Sequence, residues 1–220
     1  MSQYKGAIFD LDGTLLDSMW IWDQIDIEFL AKRGIQEVPK DYQETIATFG
    51  AEKTAVYTIE RFGLKDKPED LVREWLDMAH DYYANHLQLK EYVYEYLCFL
   101  HEKKVPMAVA TSSDIALVKP CLERTGLLPL LDTVLTVRDI GRGKQFPDIY
   151  LEAAKRLDCV PEECLVFEDV LEAATTAKNA GFPVVGVAEN RCPQASAELL
   201  KQQADHYIES FRELPERHLF

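Results

Sequence analysis

The stretch Gly6-Ala7-Ile8-Phe9-Asp10-Leu11-Asp12-Gly13-Thr14 governs how the rest of the chain is read. Gly6–Phe9 has the composition of a short buried strand. Two carboxylates, Asp10 and Asp12, follow it directly, and Asp12-Gly13-Thr14 is a turn signal. The strand therefore ends by presenting acids. In a parallel sheet the carboxyl ends of the strands are where ligands bind.

Outward from this stretch the pattern changes twice. Between Ser18 and about Arg33 the apolar residues Ile21, Ile25, Phe29 and Leu30 recur at helical spacing, and Gly34 closes the helix. Further helices are expected at about Tyr42–Phe49, Lys53–Arg61 and Glu69–Tyr83, so residues 16–88 read as an all-helical insertion. Strand and helix then alternate. Strands are expected at Val105–Ala110, Thr133–Thr136, Cys164–Phe167, Val184–Val187 and His206–Ile208. Helices are expected over the run to Lys104 and at Ile115–Thr125, Ile149–Leu157, Leu171–Ala180 and about Ala195–Gln203. This alternation predicts a parallel sheet covered by helices on both faces. The domains are a core of residues 1–15 and 89–220 and a helical cap of residues 16–88.

Composition narrows the function. The chain has 220 residues, 47% hydrophobic and 28% charged, with a net charge of −14. That suits a globular protein and argues against binding nucleic acid or an anionic membrane. No apolar run approaches the ~20 residues of a membrane span. The amino terminus does not read as a secretory signal, so a cytoplasmic protein is expected, and the acidic balance favours a monomer. The five cysteines, Cys98, Cys121, Cys159, Cys164 and Cys192, form no Cys-x-x-Cys. They are expected to be reduced and mostly buried. The histidines show no metal-ligand spacing; His80 and His86 do not align on a helix.

Four groups fall at equivalent places. Asp10 and Asp12 follow the first strand, Thr111-Ser112-Ser113 follow Val105–Ala110, Glu168-Asp169 follow Cys164–Phe167, and Lys144 precedes the helix Ile149–Leu157. A parallel sheet brings them to one edge. There one carboxylate can attack phosphorus while the second handles the proton. Glu168 and Asp169 add hard oxygen ligands for a magnesium ion. Thr111 and its neighbours Ser112 and Ser113 offer donors to phosphate oxygens, and Lys144 offers positive charge. Each group also has a plainer reading: a tight turn at Asp10–Thr14, a helix cap at Thr111–Asp114, a solvated helix start at Glu168-Asp169, a surface lysine at Lys144. Their coincidence in position favours a site.

Phe9-Asp10-Leu11-Asp12-Gly13-Thr14-Leu15-Leu16-Asp17-Ser18 resembles the first motif of the haloacid dehalogenase (HAD) superfamily. Thr111 matches the second motif, Gly143-Lys144-Gln145-Phe146-Pro147-Asp148-Ile149-Tyr150 the third, and Phe167-Glu168-Asp169 the fourth. The order and spacing cover nearly the whole chain and are most similar to the beta-phosphoglucomutase-like phosphatases. Three positions depart from the family pattern: Gln145 stands for proline, Val170 for serine and Ala173 for glycine. The resemblance implies an α/β fold, a Rossmann-like doubly wound parallel sheet with an inserted helical cap. It implies Asp10 as nucleophile and Asp12 as general acid/base. It also implies Mg2+ held by Asp10, Asp12 (through its carbonyl), Glu168 and Asp169.

Within the superfamily, dehalogenases lack the second aspartate, so Asp12 points to phosphate chemistry. Lys53 stands where the mutase branch carries an arginine, and Trp22 at about the place of a mutase histidine. Hydrolysis of a small phosphorylated metabolite is thus favoured over sugar phosphomutase activity, with a non-catalytic binding protein as a third reading. Trp20, Trp22 and Lys53 are candidates for substrate selection, though Trp20 and Trp22 cannot share one helix face and a large apolar stripe is also ordinary core.

Overall fold

A computed structural model describes residues 4–46 and 49–220. In chain order it contains β1 (Gly6–Phe9), β2 (Leu16–Asp17), α1 (Ile21–Ala31), α2 (Lys40–Ile46), α3 (Ala51–Phe62) and α4 (Pro68–Asp81). Then come β3 (Gln88–Leu89), α5 (Val93–Glu102), β4 (Met107–Thr111), α6 (Ile115–Arg124), β5 (Thr133–Thr136), α7 (Val137–Ile140) and α8 (Asp148–Arg156). The chain finishes with β6 (Cys164–Glu168), α9 (Leu171–Asn179), β7 (Val184–Val187), α10 (Gln194–Gln203) and β8 (His206–Ile208).

Six strands form one parallel sheet in the order β5-β4-β1-β6-β7-β8. From β1 the chain builds outward through β4 and β5, then returns to the other side of β1 with β6. The order reverses between β1 and β6, so a crevice opens beyond their carboxyl ends. β1 is central because it is buried on both faces; Ala7, Ile8 and Phe9 are all fully enclosed. On one face Phe9 stacks on Phe167 at 4.5 Å between ring centroids, and Tyr96 and Phe211 close that layer. On the other, Ile8 and Val166 pack with Ala108, Tyr150, Ala153 and Phe182. Each such large side chain contributes about 1.5–3 kcal/mol on burial. These layers fix the strands that deliver Asp10 and Glu168-Asp169.

The chain divides into two compact units, one of residues up to Met19 plus Leu87–Phe220, the other Trp20–His86. The segment 16–88 is not all-helical, as the sequence suggested. Leu16–Asp17 and Gln88–Leu89 pair as an antiparallel ribbon, and both strands fall in the core unit. Two residues per strand are too few for periodicity to reveal. The expected helix Tyr42–Phe49 appears as Lys40–Ile46, Phe49 is non-helical, and residues 47 and 48 lie outside those described. α4 starts on Pro68 with Glu69 and Asp70 in its first turn. It runs into a π-helical turn, Tyr82–His86. Among the described residues no helix is long and apolar enough to cross a membrane. All five cysteines are free, but only Cys121 and Cys164 are buried, against the expectation that most would be.

The helical unit has its own polar frame. Arg33 bridges Asp66 at 2.7 Å and Glu74 at 2.9 Å, and the Tyr42 hydroxyl meets Thr58 Oγ1 at 2.8 Å. Asp26 is buried on α1, and burial followed by the charge of Asp23 pushes its carboxyl up to about 7. The folded state thus holds this proton more tightly than the unfolded chain does. Folding carries no penalty from Asp26 below about pH 4, and the penalty grows as pH rises toward 7 and beyond. Replacing Asp26 with Asn should leave stability near pH 4 unchanged and raise it at pH 8, on the order of 2–4 kcal/mol. Urea unfolding at the two pH values measures this; an equal effect at both would show that Asp26 does not titrate in this range.

Candidate active site

The sheet continues one residue past β1, where the Asp10 amide donates to the Phe167 carbonyl at 2.9 Å. The carboxylate of Asp10 is thereby set beside Glu168, the last residue of β6, and Asp169 just beyond it. One oxygen each of Asp10, Glu168 and Asp169 lie within 4.8 Å of one another, and all three residues are buried. The turn after Asp10 closes on itself, with Leu15 and Leu16 amides donating to the Leu11 carbonyl and the Gly13 amide to Leu16. Gly13 has φ +87°, and a Cβ there would stand 2.3 Å from Asp169 Oδ2. Only glycine lets the turn pass this close to the acid.

Lys144 reaches into the cluster from the loop before α8. Its Nζ donates to Asp10 Oδ1 and, at 2.6 Å, to Glu168 Oε1. Burial alone would lower its pKa, but Asp10 and Glu168 together outweigh burial and hold it raised. Burial pushes Asp10 well above the usual carboxylate range; Lys144 opposes that, and Glu168 and Asp169 add to it. Burial and the charge of Glu168 push Asp169 up to about 7. Three buried acids, with the Lys144 ammonium bonded to two of them and Lys90 acting on Asp169 through charge alone, are short of positive charge. Asp10 Oδ2 is moreover buried without a hydrogen-bond partner. An all-oxygen donor set with a charge deficit and an orphaned oxygen fits a hard divalent cation such as Mg2+.

Asp12 is half-buried, and its Oδ2 accepts from Ser113 Oγ at 2.7 Å. Thr111 ends β4 fully buried, and its hydroxyl accepts from the Ser113 amide at 3.0 Å. Ser112 is exposed. α6 is capped by Asp114, which accepts from the Ala116 amide at 2.9 Å. The loop after β4 is thus ordered by its own side chains.

The core unit therefore gathers Asp10, Glu168, Asp169 and Lys144 into one contact network and ties Asp12 to the loop after Thr111. The remaining candidates lie in the helical unit. Trp20, at the start of α1, meets Tyr82 edge-on at 5.5 Å; Trp22 is half exposed; Lys53 lies 3.6 Å over the Phe49 ring. Ser113, expected as a phosphate donor beside Thr111, instead holds Asp12, and two core residues escaped the sequence reading: Thr14 donating to Asp169 Oδ1 at 3.0 Å and Tyr150 donating to Glu168 Oε1 at 2.7 Å. Thr14 and Tyr150 both lie inside motif stretches, which was the available signal. A cavity of about 650 Å3 lies at the carboxyl ends of β7 and β8, walled by Lys90, Glu189 and Tyr207 among others; none of the clustered acids lines it.

The model of haloacid dehalogenase-like hydrolases matches residues 7–187. The chain belongs to that family. Among curated relatives it is 30% identical to the fructose-1-phosphate phosphatase YqaB of Escherichia coli, covering 84% of this chain and 97% of the relative. It is 28% identical to the beta-phosphoglucomutase of Bacillus subtilis over 95% and 94% of the two chains. The crystal structure of a provisionally assigned beta-phosphoglucomutase from Thermotoga maritima superposes with a TM-score of 0.83 at 25% identity, covering 98% of this chain and 96% of the other. The HAD core, a doubly wound α/β sheet, and the beta-phosphoglucomutase-like resemblance expected from the motifs both hold. The family is one of hydrolases, and its named relatives include both a phosphatase and a phosphomutase.

The Gly13 contact makes a direct expectation. Gly13→Ala places a methyl group against Asp169 in a backbone conformation that costs about 1–2 kcal/mol for any other residue. Stability in urea should fall by at least that amount, and turnover of a phosphate ester should fall at least tenfold, the scale of a displaced reacting group. Unchanged turnover would show that Asp169 need not hold this position.

Proposed function

We propose that this HAD-family enzyme is a magnesium-dependent phosphatase that hydrolyses a small phosphorylated metabolite through an aspartyl-phosphate on Asp10. The observation carrying this reading is the buried Asp10–Glu168–Asp169 cluster with Lys144 on Asp10 Oδ1 and Asp10 Oδ2 left without a partner.

Asp10 attacks phosphorus, forming an acyl phosphate as the bond to the leaving oxygen breaks. Asp12 donates its proton to that oxygen, which departs as an alcohol. Ser113 holds the Asp12 carboxyl in place for both steps. Asp12 then removes a proton from water, the water oxygen attacks phosphorus, and inorganic phosphate leaves Asp10 restored. Lys144 offsets negative charge on Asp10 and on the phosphoryl oxygens. Thr111 orders the loop that, with Ser112, provides donors to the phosphoryl group. Mg2+, held by Asp10, Glu168, Asp169 and the Asp12 carbonyl, would supply the positive charge that lets a carboxylate approach a dianionic ester.

A phosphomutase on the same site is the second reading, supported by the likeness to a beta-phosphoglucomutase over nearly the whole chain. Against it, the position of a mutase arginine is taken by Lys53, which lacks a planar fork and is engaged over Phe49. Trp20 and Trp22 remain the proposed selectors of substrate.

The test is a panel of phosphate esters with and without Mg2+. Release of inorganic phosphate from at least one ester, only with the metal, is expected. Asp10→Asn should leave no measurable turnover in a folded protein, and Asp12→Asn should lower it about 10²–10⁴-fold. Retained activity in Asp10→Asn would sink the covalent route. Glucose 6-phosphate formed from beta-glucose 1-phosphate and a bisphosphate primer, without phosphate release, would decide for the mutase.

A further inference from the structure

Each of the three clustered carboxylates has one oxygen engaged by a protein donor. Asp10 Oδ1 accepts from Lys144. Glu168 Oε1 accepts from both Lys144 at 2.6 Å and Tyr150 at 2.7 Å. Asp169 Oδ1 accepts from Thr14 Oγ1 at 3.0 Å. The second oxygens are differently placed. Asp10 Oδ2 has no partner, and Glu168 Oε2 has only the distant Val170 amide at 3.4 Å. Asp169 Oδ2 faces the Cβ-free side of Gly13. Thr14, Tyr150 and Glu168 are fully buried, so water does not compete for these bonds.

We infer that Thr14 and Tyr150, together with Lys144, make every carboxylate of this site a one-oxygen ligand and thereby select Mg2+ against Ca2+. This rests on the metal-dependent reading above. The selection is chemical. Mg2+ takes six ligands in a near-ideal octahedron, which single carboxylate oxygens and waters satisfy. Ca2+ takes six to eight at longer distances and gains from carboxylates that chelate through both oxygens. A donor bonded to one oxygen of a buried carboxylate must be given up before that carboxylate can chelate. In a buried site the abandoned hydroxyl then goes unsatisfied, which lowers the affinity for a chelated ion by about tenfold or more. Thr14 and Tyr150 are positioning residues in this scheme; neither touches phosphorus.

Thr14→Val keeps the volume and removes the hydroxyl, leaving Asp169 Oδ1 open to chelation. Thr14→Ser restores the donor. Tyr150→Phe removes one of two donors to Glu168. Calorimetric titration of EDTA-stripped protein with MgCl2 or CaCl2, paired with melting temperature at saturating metal, reads the preference without any substrate. The Ca2+-to-Mg2+ affinity ratio should rise about tenfold in Thr14→Val and further in the double variant, as expected for each carboxylate allowed to chelate. It should stay at the wild-type value in Thr14→Ser. If Thr14→Val fails to fold, Tyr150→Phe carries the same expectation at about threefold, because Lys144 still holds Glu168 Oε1. Wild-type protein that binds Mg2+ while the folded variants keep its ratio would overturn the selection and leave the metal-dependent phosphatase standing. Wild-type protein that takes up neither ion would overturn both.

Discussion

Negative charge gathered out of water is the constraint around which the core is organised. Asp10, Glu168 and Asp169 sit together below the surface, with the Lys144 ammonium paired to the first two. Such a cluster is costly to assemble, because burial penalises each charged form and the acids repel one another. What holds it is the apolar architecture behind it. Phe9 and Phe167 stack directly beneath the residues that follow them, and their strands are paired along their whole length. The acids cannot spread apart without breaking the best-packed part of the molecule. The proposed Mg2+ is the ion that would relieve these unfavourable electrostatics.

The same logic explains why the site lies at this point in the fold. β1 and β6 are adjacent in the sheet but far apart in the chain, and the strand order reverses between them. Their carboxyl ends diverge into separate connections and leave a crevice there. Lys144 then arrives from a third direction, ahead of α8, whose Tyr150 both packs in the core and reaches Glu168. One residue thus links the hydrophobic layer to the polar cluster.

Much of this was legible in the sequence, for identifiable reasons. β1, β5, β7 and β8 were read at their bounds because strands in a two-sided parallel sheet are compact runs of apolar and β-branched residues. β4 and β6 each end one residue later than pattern alone suggested, at Thr111 and Glu168, since a polar residue that ends a strand looks like the start of a loop, and β4 begins at Met107 rather than Val105. The β2–β3 ribbon and the four-residue α7 left no periodic trace; α7 is specified by a capping box between Thr136 and Asp139. In the site, acids and lysine stood out through their position after strands and before a helix. Thr14 and Tyr150 did not, and Ser113 was read beside Thr111 without its tie to Asp12, because these partners lie 155, 18 and 101 residues away and a hydroxyl in a sequence does not say what it will bond.

The central place of β1 has a further consequence for how the protein comes into being. Ala7 takes its neighbours from Met107 on one side and Leu165 on the other. On the ribosome the first strand emerges long before either partner exists. Its hydrophobic residues must wait while the whole helical unit is made and while β4 and β5 follow. Only with β6 is the strand enclosed and Asp10 given its companions. Contacts so distant along the chain are slow to form and leave apolar strands open to misassociation in the meantime. Assembly of the site is therefore a late event in the life of the nascent polypeptide, and truncated chains that stop before β6 would carry Asp10 without the acids that surround it.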